Sequence, residues 1–358
     1  MTSIEKLQSK MKEQGMEAVL ITSDINRRYF TGMKSSAGTL IAFPDAAYLI
    51  IDFRYIEKAR ATVSDCEVIL QGGGRQLYRQ IVGLCEKHSA KTLSVEADRI
   101  TIAECKRFRS ETGLEIDSSN TAAEMIARIR MIKTPAELEK MIAAQRIAEQ
   151  GLLHMYDFIK PGVTEREIQL ELDFYMLSHG AEALSFDTIA LSGVNTSMPH
   201  GVPSDKKVES GEFVLMDFGA VVDGYHSDMT RTVCVGEPTK KFRKVYDIVL
   251  EAQKRGIEAV RAGIKGRELD KVSRDIIDGC GYGDAFGHSL GHGVGIEIHE
   301  EPYASPSGET TLSEGMVVTV EPGIYLPGEF GVRIEDFVIV RENGCENMTE
   351  ARKDLVIL

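Results

Sequence analysis

Short apolar runs alternate with helical patterns along the chain up to about residue 120. Five of these runs have the length and apolar content that predict β-strands buried in a sheet. The helical patterns between them would cover the sheet, which favours a small α/β domain. The predicted strands are Ala18-Val-Leu-Ile-Thr, Thr39-Leu-Ile-Ala-Phe, Ala47-Tyr-Leu-Ile-Ile-Asp, Cys66-Glu-Val-Ile-Leu and Thr92-Leu-Ser-Val.

A polar, turn-prone stretch, Asp117-Ser-Ser-Asn-Thr, follows these strands. Such stretches are typical of domain boundaries. We therefore predict an N-terminal domain over residues 1–125 and a C-terminal domain over residues 126–358. A chain of 358 residues, 43% of them hydrophobic, is long enough for two cores.

Two helix starts follow this boundary. Thr134 can cap a helix with Pro135 in its first turn and Glu137 reaching back, which predicts a helix to about Phe158. A second Thr and Glu pair predicts another helix, from Thr164 to about Ser178.

The C-terminal domain repeats its own pattern loosely. Residues 159–168 resemble residues 260–269, and each segment follows a long helical pattern. Later, residues 211–219 resemble residues 315–323. Chance similarity is the alternative for short strands, but the matched order of helix, Gly turn, strand and acid favours two halves related by a pseudo-twofold axis. This alignment pairs Asp217 with Glu321 and Asp228 with Glu335.

Acidic residues interrupt strands that are otherwise apolar. The dipeptide Asp223-Gly224 favours a two-residue hairpin turn, which places Asp228 across from Gly219. Asp217 and Asp228 then share one face, about 7–8 Å apart at the backbone. A buried, ionised and unpaired carboxylate is costly, so a positive charge must compensate it.

Glu321 and Glu335 show the same anomaly in the second half. For any one acid, a salt bridge within the fold is an equal alternative to metal binding. For four acids it is a weaker one, because only Arg231 and Arg333 are cations with apolar flanks. The sequence therefore predicts two divalent cations between the acids.

Three histidines, His288, His292 and His299, lie among closely spaced glycines. The glycines disfavour a helix and favour a loop or distorted strand that approaches a ligand closely. Carboxylates with one imidazole suit Mn²⁺, Fe²⁺, Co²⁺ or Zn²⁺, and two such ions can activate a water for hydrolysis.

The net charge of -13 argues against a nucleic-acid or anionic-membrane surface. The first ten residues are too polar for a signal peptide and no apolar run reaches membrane-spanning length, so we expect a cytoplasmic protein. Its cysteines form no Cys-x-x-Cys pair, and we expect reduced, mostly buried thiols. The six cysteines are Cys66, Cys85, Cys105, Cys234, Cys280 and Cys345.

Taken together, these motifs resemble the pita-bread metallopeptidases, which include Xaa-Pro dipeptidase, Xaa-Pro aminopeptidase and methionine aminopeptidase. The resemblance implies an α+β chain, with a C-terminal pita-bread domain of pseudo-twofold symmetry after a smaller creatinase-type α/β domain. That first domain, with Asn26-Arg-Arg-Tyr-Phe-Thr-Gly and Asp52-Phe-Arg-Tyr, favours the Xaa-Pro enzymes. The C-terminal motifs are Met216-Asp-Phe-Gly, Ser227-Asp-Met-Thr-Arg-Thr, Gly291-His-Gly, His299-Glu-Glu-Pro, Glu321-Pro-Gly and Arg333-Ile-Glu.

The resemblance also implies roles for single residues. Glu321 would take a proton from the water bridging the metals, and His299 would donate to the oxyanion. His200 would lie near the substrate carbonyl or the leaving nitrogen. His288 and Arg333 would line the substrate's proline side, although Arg333 could equally be a structural partner of a ligand carboxylate. The implied metal ligands are Asp217, Asp228, His292, Glu321 and Glu335.

The activity implied is hydrolysis of the Xaa-Pro bond in dipeptides or at the amino terminus of short proline-containing peptides, by a homodimer with two divalent ions, preferably Mn²⁺. Two alternatives stay open. A creatinase-like amidinohydrolase shares the fold but needs no metal, and a non-catalytic relative would keep the fold for peptide binding.

Overall fold

A computed structural model describes residues 1–358, which form two compact units, Met1–Arg130 and Met131–Leu358. The predicted boundary at residues 125 and 126 falls inside the last helix of the first unit, Thr121–Met131. No helix combines the length and the apolar composition that crossing a membrane requires.

The N-terminal unit is built on one six-stranded sheet with the strand order β4-β3-β2-β1-β5-β6. All five predicted strands are present, and a short sixth strand at the sheet edge was not predicted. The strands are β1 (Val19–Ile21), β2 (Thr39–Ala42), β3 (Ala47–Ile51), β4 (Glu67–Leu70), β5 (Thr92–Val95) and β6 (Glu115–Asp117). The helices are α1 (Ser3–Gln14), α2 (Asp24–Thr31), α3 (Ile56–Thr62), α4 (Gln76–Lys87), α5 (Ile102–Thr112) and α6 (Thr121–Met131).

The C-terminal unit contains four long helices and thirteen strands. The helices are α7 (Pro135–Phe158), α8 (Glu165–Ser178), α9 (Lys240–Ala259) and α10 (Gly266–Gly279). The strands are β7 (Ala183–Leu184), β8 (Ile189–Ser192), β9 (Glu212–Phe218), β10 (Ala220–Val222), β11 (Tyr225–His226), β12 (Met229–Val235), β13 (Gly291–Gly293), β14 (Glu300–Ala304), β15 (Val317–Val320), β16 (Gly323–Leu326), β17 (Phe330–Arg333), β18 (Asp336–Arg341) and β19 (Gly344–Asn347).

Capping explains where the first two of these helices begin. The Thr134 side chain accepts from the Glu137 amide, and the Glu137 carboxylate accepts from the Thr134 amide. Thr164 and Glu167 form the same reciprocal box at α8. Both predicted helices are confirmed, and both end at the predicted residue.

The predicted two halves are present in the C-terminal unit. Helices α7 and α8 share a core with β9 and β12, whereas α9 and α10 share a second core with β15 and β18. In the first half Thr164 forms an antiparallel bridge with Lys207, and in the second half Lys265 forms one with Thr311. In both halves, therefore, the segment before the central strand joins the start of the second helix.

The predicted turn joins β10 to β11. Asp223 and Gly224 both have positive φ, 49° and 86°, as the tightest hairpin turn requires. Val222 pairs with Tyr225 across it. Below the turn the ladder is interrupted at Gly219, where any Cβ would collide with the Ser227 carbonyl oxygen. The residue that permits this close approach lies between the two aspartates of the hairpin.

Candidate metal centre

Asp217 and Asp228 reach one place because of the hairpin register. Asp217 lies on β9 opposite Thr230, and Met229 pairs with Phe218. Continued by one residue, this register sets Asp228 across from Gly219, as predicted. Asp228 is buried, and Asp217 is partly buried.

The second half delivers its two acids in the same way. Glu321 follows the last residue of β15, and Glu335 precedes the first residue of β18. Val320 pairs with Asp336, so the two glutamates leave the paired ladder at the same end. The strand geometry that the repeat predicted is therefore present in both halves.

All nine residues singled out from the sequence line one pocket of about 780 Å³. His200 and His299 are exposed in it, whereas the other histidines are partly or fully buried. The nine are His200, Asp217, Asp228, His288, His292, His299, Glu321, Arg333 and Glu335.

The tightest cluster in this pocket consists of Asp228, His292 and Glu335, which each offer one ligand atom within 4.8 Å of the others. His292 Nε2 lies 3.6 Å from Asp228 Oδ2 and 3.4 Å from Glu321 Oε1. Its Nδ1 lies 3.0 Å from the Gly293 carbonyl oxygen, to which it donates. The Nε2 lone pair therefore faces the carboxylates, as in a histidine that binds metal through Nε2.

The acids crowd each other. Burial, and then the charges of Asp217 and Glu321, raise the pKa of Asp228 well above its usual range. Burial, and then Asp228, raise the pKa of Glu335 in the same direction. Burial raises the pKa of Glu321 to about 8. Bringing these carboxylates together in ionised form requires more positive charge than the nearby side chains supply.

The donor set fits divalent cations. Asp217 Oδ1 is buried without a hydrogen-bond partner, as expected for an oxygen placed to bind an ion. Burial also lowers the pKa of His292 to about 4, so its imidazole is neutral at physiological pH, the form in which histidine binds metal. Oxygen donors with one imidazole match Mn²⁺, Fe²⁺, Co²⁺ or Zn²⁺.

Arg333 has a protein partner for each of its nitrogens. Nη2 lies 2.5 Å from Asp217 Oδ2, Nε lies 2.9 Å from Thr230 Oγ1, and Nη1 lies 2.6 Å from the Tyr325 hydroxyl. Its side chain is only 4% exposed. Of the two roles left open by the sequence, these contacts favour the structural partner of a ligand carboxylate.

Tyr325 is a residue of this site that the sequence did not reveal. Its buried hydroxyl accepts from Arg333 and lies 3.0 Å from His288 Nε2, while His288 Nδ1 lies 2.8 Å from the Ser289 carbonyl oxygen. Burial, and then the Arg333 charge, lower the pKa of His288 to about 4. The His288 imidazole is therefore neutral, with both nitrogens engaged inside the protein.

Two threonines orient the glutamates and were also missed. Thr230 Oγ1 donates to Glu335 Oε2 at 2.7 Å, and Thr319 Oγ1 donates to Glu321 Oε1 at 3.2 Å. Threonine is common in strands, so neither carried a signal of its own. Hydrogen bonds of this kind hold a carboxylate in one orientation around a metal ion.

Comparisons with known proteins agree with this geometry. Residues 139–342 match metallopeptidase family M24, and residues 3–132 match the creatinase/prolidase N-terminal domain. The chain is 39% identical to the Xaa-Pro dipeptidase of Pyrococcus furiosus over 354 residues, 99% of each chain.

Solved structures are similar over the same extent. A Xaa-Pro dipeptidase from Bacillus anthracis superposes with a TM-score of 0.95 at 41% identity, over 99% of both chains. An X-Pro aminopeptidase from Thermotoga maritima gives a TM-score of 0.91 at 36% identity, over 98% of this chain and 100% of that one. The chain therefore belongs to metallopeptidase family M24, with a creatinase/prolidase N-terminal domain ahead of its catalytic unit.

Proposed function

We propose that this metallopeptidase hydrolyses the Xaa-Pro peptide bond, in dipeptides or at the amino terminus of short peptides. The observation that carries the proposal is the convergence of four carboxylates and one imidazole on a single pocket. The names of relatives that cover nearly the whole chain support the specificity for proline.

Five residues would hold two divalent ions, and the site's oxygen-rich character supports Mn²⁺ as the native metal. When bound, such ions act as Lewis acids on a carbonyl and bring the pKa of water toward neutrality. The proposed ligands are Asp217, Asp228, His292, Glu321 and Glu335.

Side chains of the pocket would carry out the proton transfer, stabilise the intermediate and contact the substrate. Glu321, held by Thr319, takes the proton from the attacking water. His299, exposed in the pocket beside His292, donates a hydrogen bond to the oxygen of the tetrahedral intermediate. His200, also exposed, lies against the substrate carbonyl or the leaving proline nitrogen.

His288 and Arg333 line the proline side of the pocket, and each of their side-chain nitrogens already has a protein partner. Both are held by Tyr325, and Arg333 also holds Asp217. Their contribution is to shape the wall and to keep one ligand carboxylate in place.

We also propose a cytoplasmic homodimer. All six cysteines are free, as expected in a reducing compartment. The α8 surface exposes Leu170, Phe174 and Leu177, which lie on one face of the helix and could pack against a second copy. Light scattering would give about twice the chain mass of 39.5 kDa for the dimer, and the single mass would refute it.

The test of the activity uses chelated protein to which Mn²⁺ is added back. We expect cleavage of Ala-Pro, Ala-Pro-Ala or both, and no cleavage of Ala-Ala-Ala. The ratio of kcat/KM for the two proline peptides decides between dipeptidase and aminopeptidase. Absence of cleavage of either proline peptide contradicts the proposal, and full cleavage by the chelated protein would contradict the role of the metal ions.

A matched pair of variants tests the role of the proposed base. Glu321→Gln should lower kcat by about 10²-fold or more, as loss of a general base does. Glu329→Gln, on an exposed carboxylate that pairs with Lys241, should leave kcat unchanged. Equal kcat of the two variants would show that Glu321 is not the base, and absence of turnover in the unmodified chain would favour the non-catalytic binding protein.

A further inference from the structure

A buried ion pair lies behind the histidines of the pocket. Lys133, just before α7, places Nζ 2.7 Å from Glu300 Oε1. The Lys133 side chain is 0% exposed and that of Glu300 is 8% exposed. Neither residue lines the pocket, and no role was predicted for either of them from the sequence, although Glu300 lies in the His299-Glu-Glu-Pro motif.

A buried ion pair contributes little net folding stability. Burying two charges carries a desolvation cost, and apolar side chains of similar volume would often stabilise the fold as well or better. In some proteins a buried ion pair instead fixes one arrangement of the chain. What this pair fixes depends on what its two residues are attached to.

Glu300 is attached to the histidine loop, which we define as residues 293–299. It follows His299 directly, and its backbone pairs with Gly293, the neighbour of His292. Glu300 begins β14 and its carboxylate bonds Lys133 outside the pocket lining, whereas His299, in the bend just before the strand, lines the pocket. The Glu300 carboxylate also lies against Gly295 so closely that a Cβ there would displace it.

Lys133 is attached to the second half of the site. Its amide donates to the Gly315 carbonyl oxygen at 2.9 Å, at the turn that leads into β15 and Glu321. The histidine loop is held on another side by the His226 amide, which donates to the Gly295 carbonyl oxygen at 2.9 Å. The ion pair thus ties the loop that carries His299 to the turn before β15, the strand that Glu321 follows.

We propose that Lys133 and Glu300 are positioning residues, which hold the histidine loop so that the His299 imidazole faces the substrate. Neither touches the substrate. The kinetic part of this inference rests on the proposed peptidase reaction and the role of His299 in it. The structural part, the order of the loop, stands without it.

The test compares Lys133→Met with Lys140→Met by hydrogen exchange followed by mass spectrometry. Lys133→Met removes the cation that pairs with the buried Glu300 carboxylate, and we expect the amides of residues 293–300 to exchange roughly tenfold faster through local opening. Lys140 lies on α7 with a half-exposed side chain, 4.0 Å from the exposed Asp223, so its variant should exchange like the wild type. Unchanged exchange in Lys133→Met would overturn the proposal.

Kinetics provide the second measurement. We expect Lys133→Met to lower kcat by roughly tenfold to a hundredfold, because misplacement by about 1 Å can cost a hundredfold, while KM changes little. If the wild type cleaves no Xaa-Pro peptide, the proposed function fails, and the exchange measurement still decides the positioning of the loop.

A double variant separates positioning from mere neutralisation of charge. Lys133→Met with Glu300→Gln removes both buried charges, and we expect a Tm close to that of the wild type, but fast exchange of the loop and low kcat. Recovery of wild-type exchange and kcat in the double variant would show that Lys133 only neutralises Glu300, and it would overturn the proposal.

Discussion

At the scale of single residues, the ionised form of Asp228 destabilises the metal-free protein but is the form that would bind metal. In the metal-free protein its charge is repelled by Asp217 and Glu321, and its pKa is raised by burial and then by these neighbours. A raised pKa in an acid means that the ionised form costs the folded state free energy at any pH above the usual value. A bound cation offsets this cost, because the ionised Asp228 carboxylate then binds the metal.

We therefore expect Asp228→Asn to raise the Tm of the chelated protein at pH 7.5 and to shrink the increase in Tm on adding Mn²⁺. Differential scanning calorimetry measures both effects. Asp205→Asn, on a carboxylate that is 92% exposed, is the control, and a lower Tm for chelated Asp228→Asn would contradict the expectation.

The cysteines differ more among themselves than the sequence suggested. They are free, as expected, but only Cys85 and Cys234 are fully buried, and Cys280 is exposed, so the expectation of mostly buried thiols was wrong. Iodoacetamide at pH 8 should label Cys280 first, since burial raises the pKa of Cys66 to about 12 and that of Cys85 to about 11. Peptide mapping would show this order, and earlier labelling of Cys66 or Cys85 would refute it.

Site residues could be predicted from the sequence where a charged side chain interrupts an apolar segment. Asp217 and Glu321 interrupt apolar strands, and that conflict identified them. Tyr325 and Thr230 fit their strands, so nothing distinguished them from core residues until the coordinates placed their hydroxyls beside Arg333. Supporting residues of this kind depend on contacts between different strands.

At the scale of elements, local signals were reliable. The capping box at Thr134 and the Asp223-Gly224 turn both occur as predicted, because each is decided by a few adjacent residues. The interruption of the ladder at Gly219 could not be predicted. It depends on how closely the Ser227 carbonyl approaches, which is set by the fold around the hairpin.

Gly219→Ala tests this element. The added methyl group would meet the Ser227 carbonyl oxygen, so we expect a loss of about 1–3 kcal/mol and weaker binding of Mn²⁺, as Asp217 and Asp228 separate. Gly279→Ala, at the end of α10 where a Cβ meets nothing within 4 Å, should be neutral or stabilising by up to about 1 kcal/mol. Denaturant unfolding and calorimetric titration measure the two effects. Equal stability and equal Mn²⁺ binding of the two variants would show that the close approach at Gly219 is not required.

At the scale of the whole molecule, the repeat was the most informative signal in the sequence. It predicted which strands would lie together, although the similarity of any one strand pair was weak. The C-terminal boundary of the first unit was harder to predict from the sequence. Helix α6 follows the polar stretch that suggested a boundary, and the first unit extends to Arg130.

Metal should stabilise the folded chain as a whole. A ligand that binds only the folded state at a hundred times its Kd adds about 2.7 kcal/mol. We expect Tm to rise with Mn²⁺ concentration and to return on chelation, without any change of far-ultraviolet circular dichroism. A Tm that is independent of Mn²⁺ would show that the four acids do not bind it.

The division of the ligand acids between two similar halves has a consequence for origins. Neither half of the C-terminal unit by itself holds more than two of the four carboxylates. An ancestral polypeptide equal to one of these halves would have needed to pair with an identical copy to form the site. Duplication and fusion of its gene would then have made the pairing permanent. Each copy could afterwards diverge, one keeping aspartates and the other acquiring glutamates.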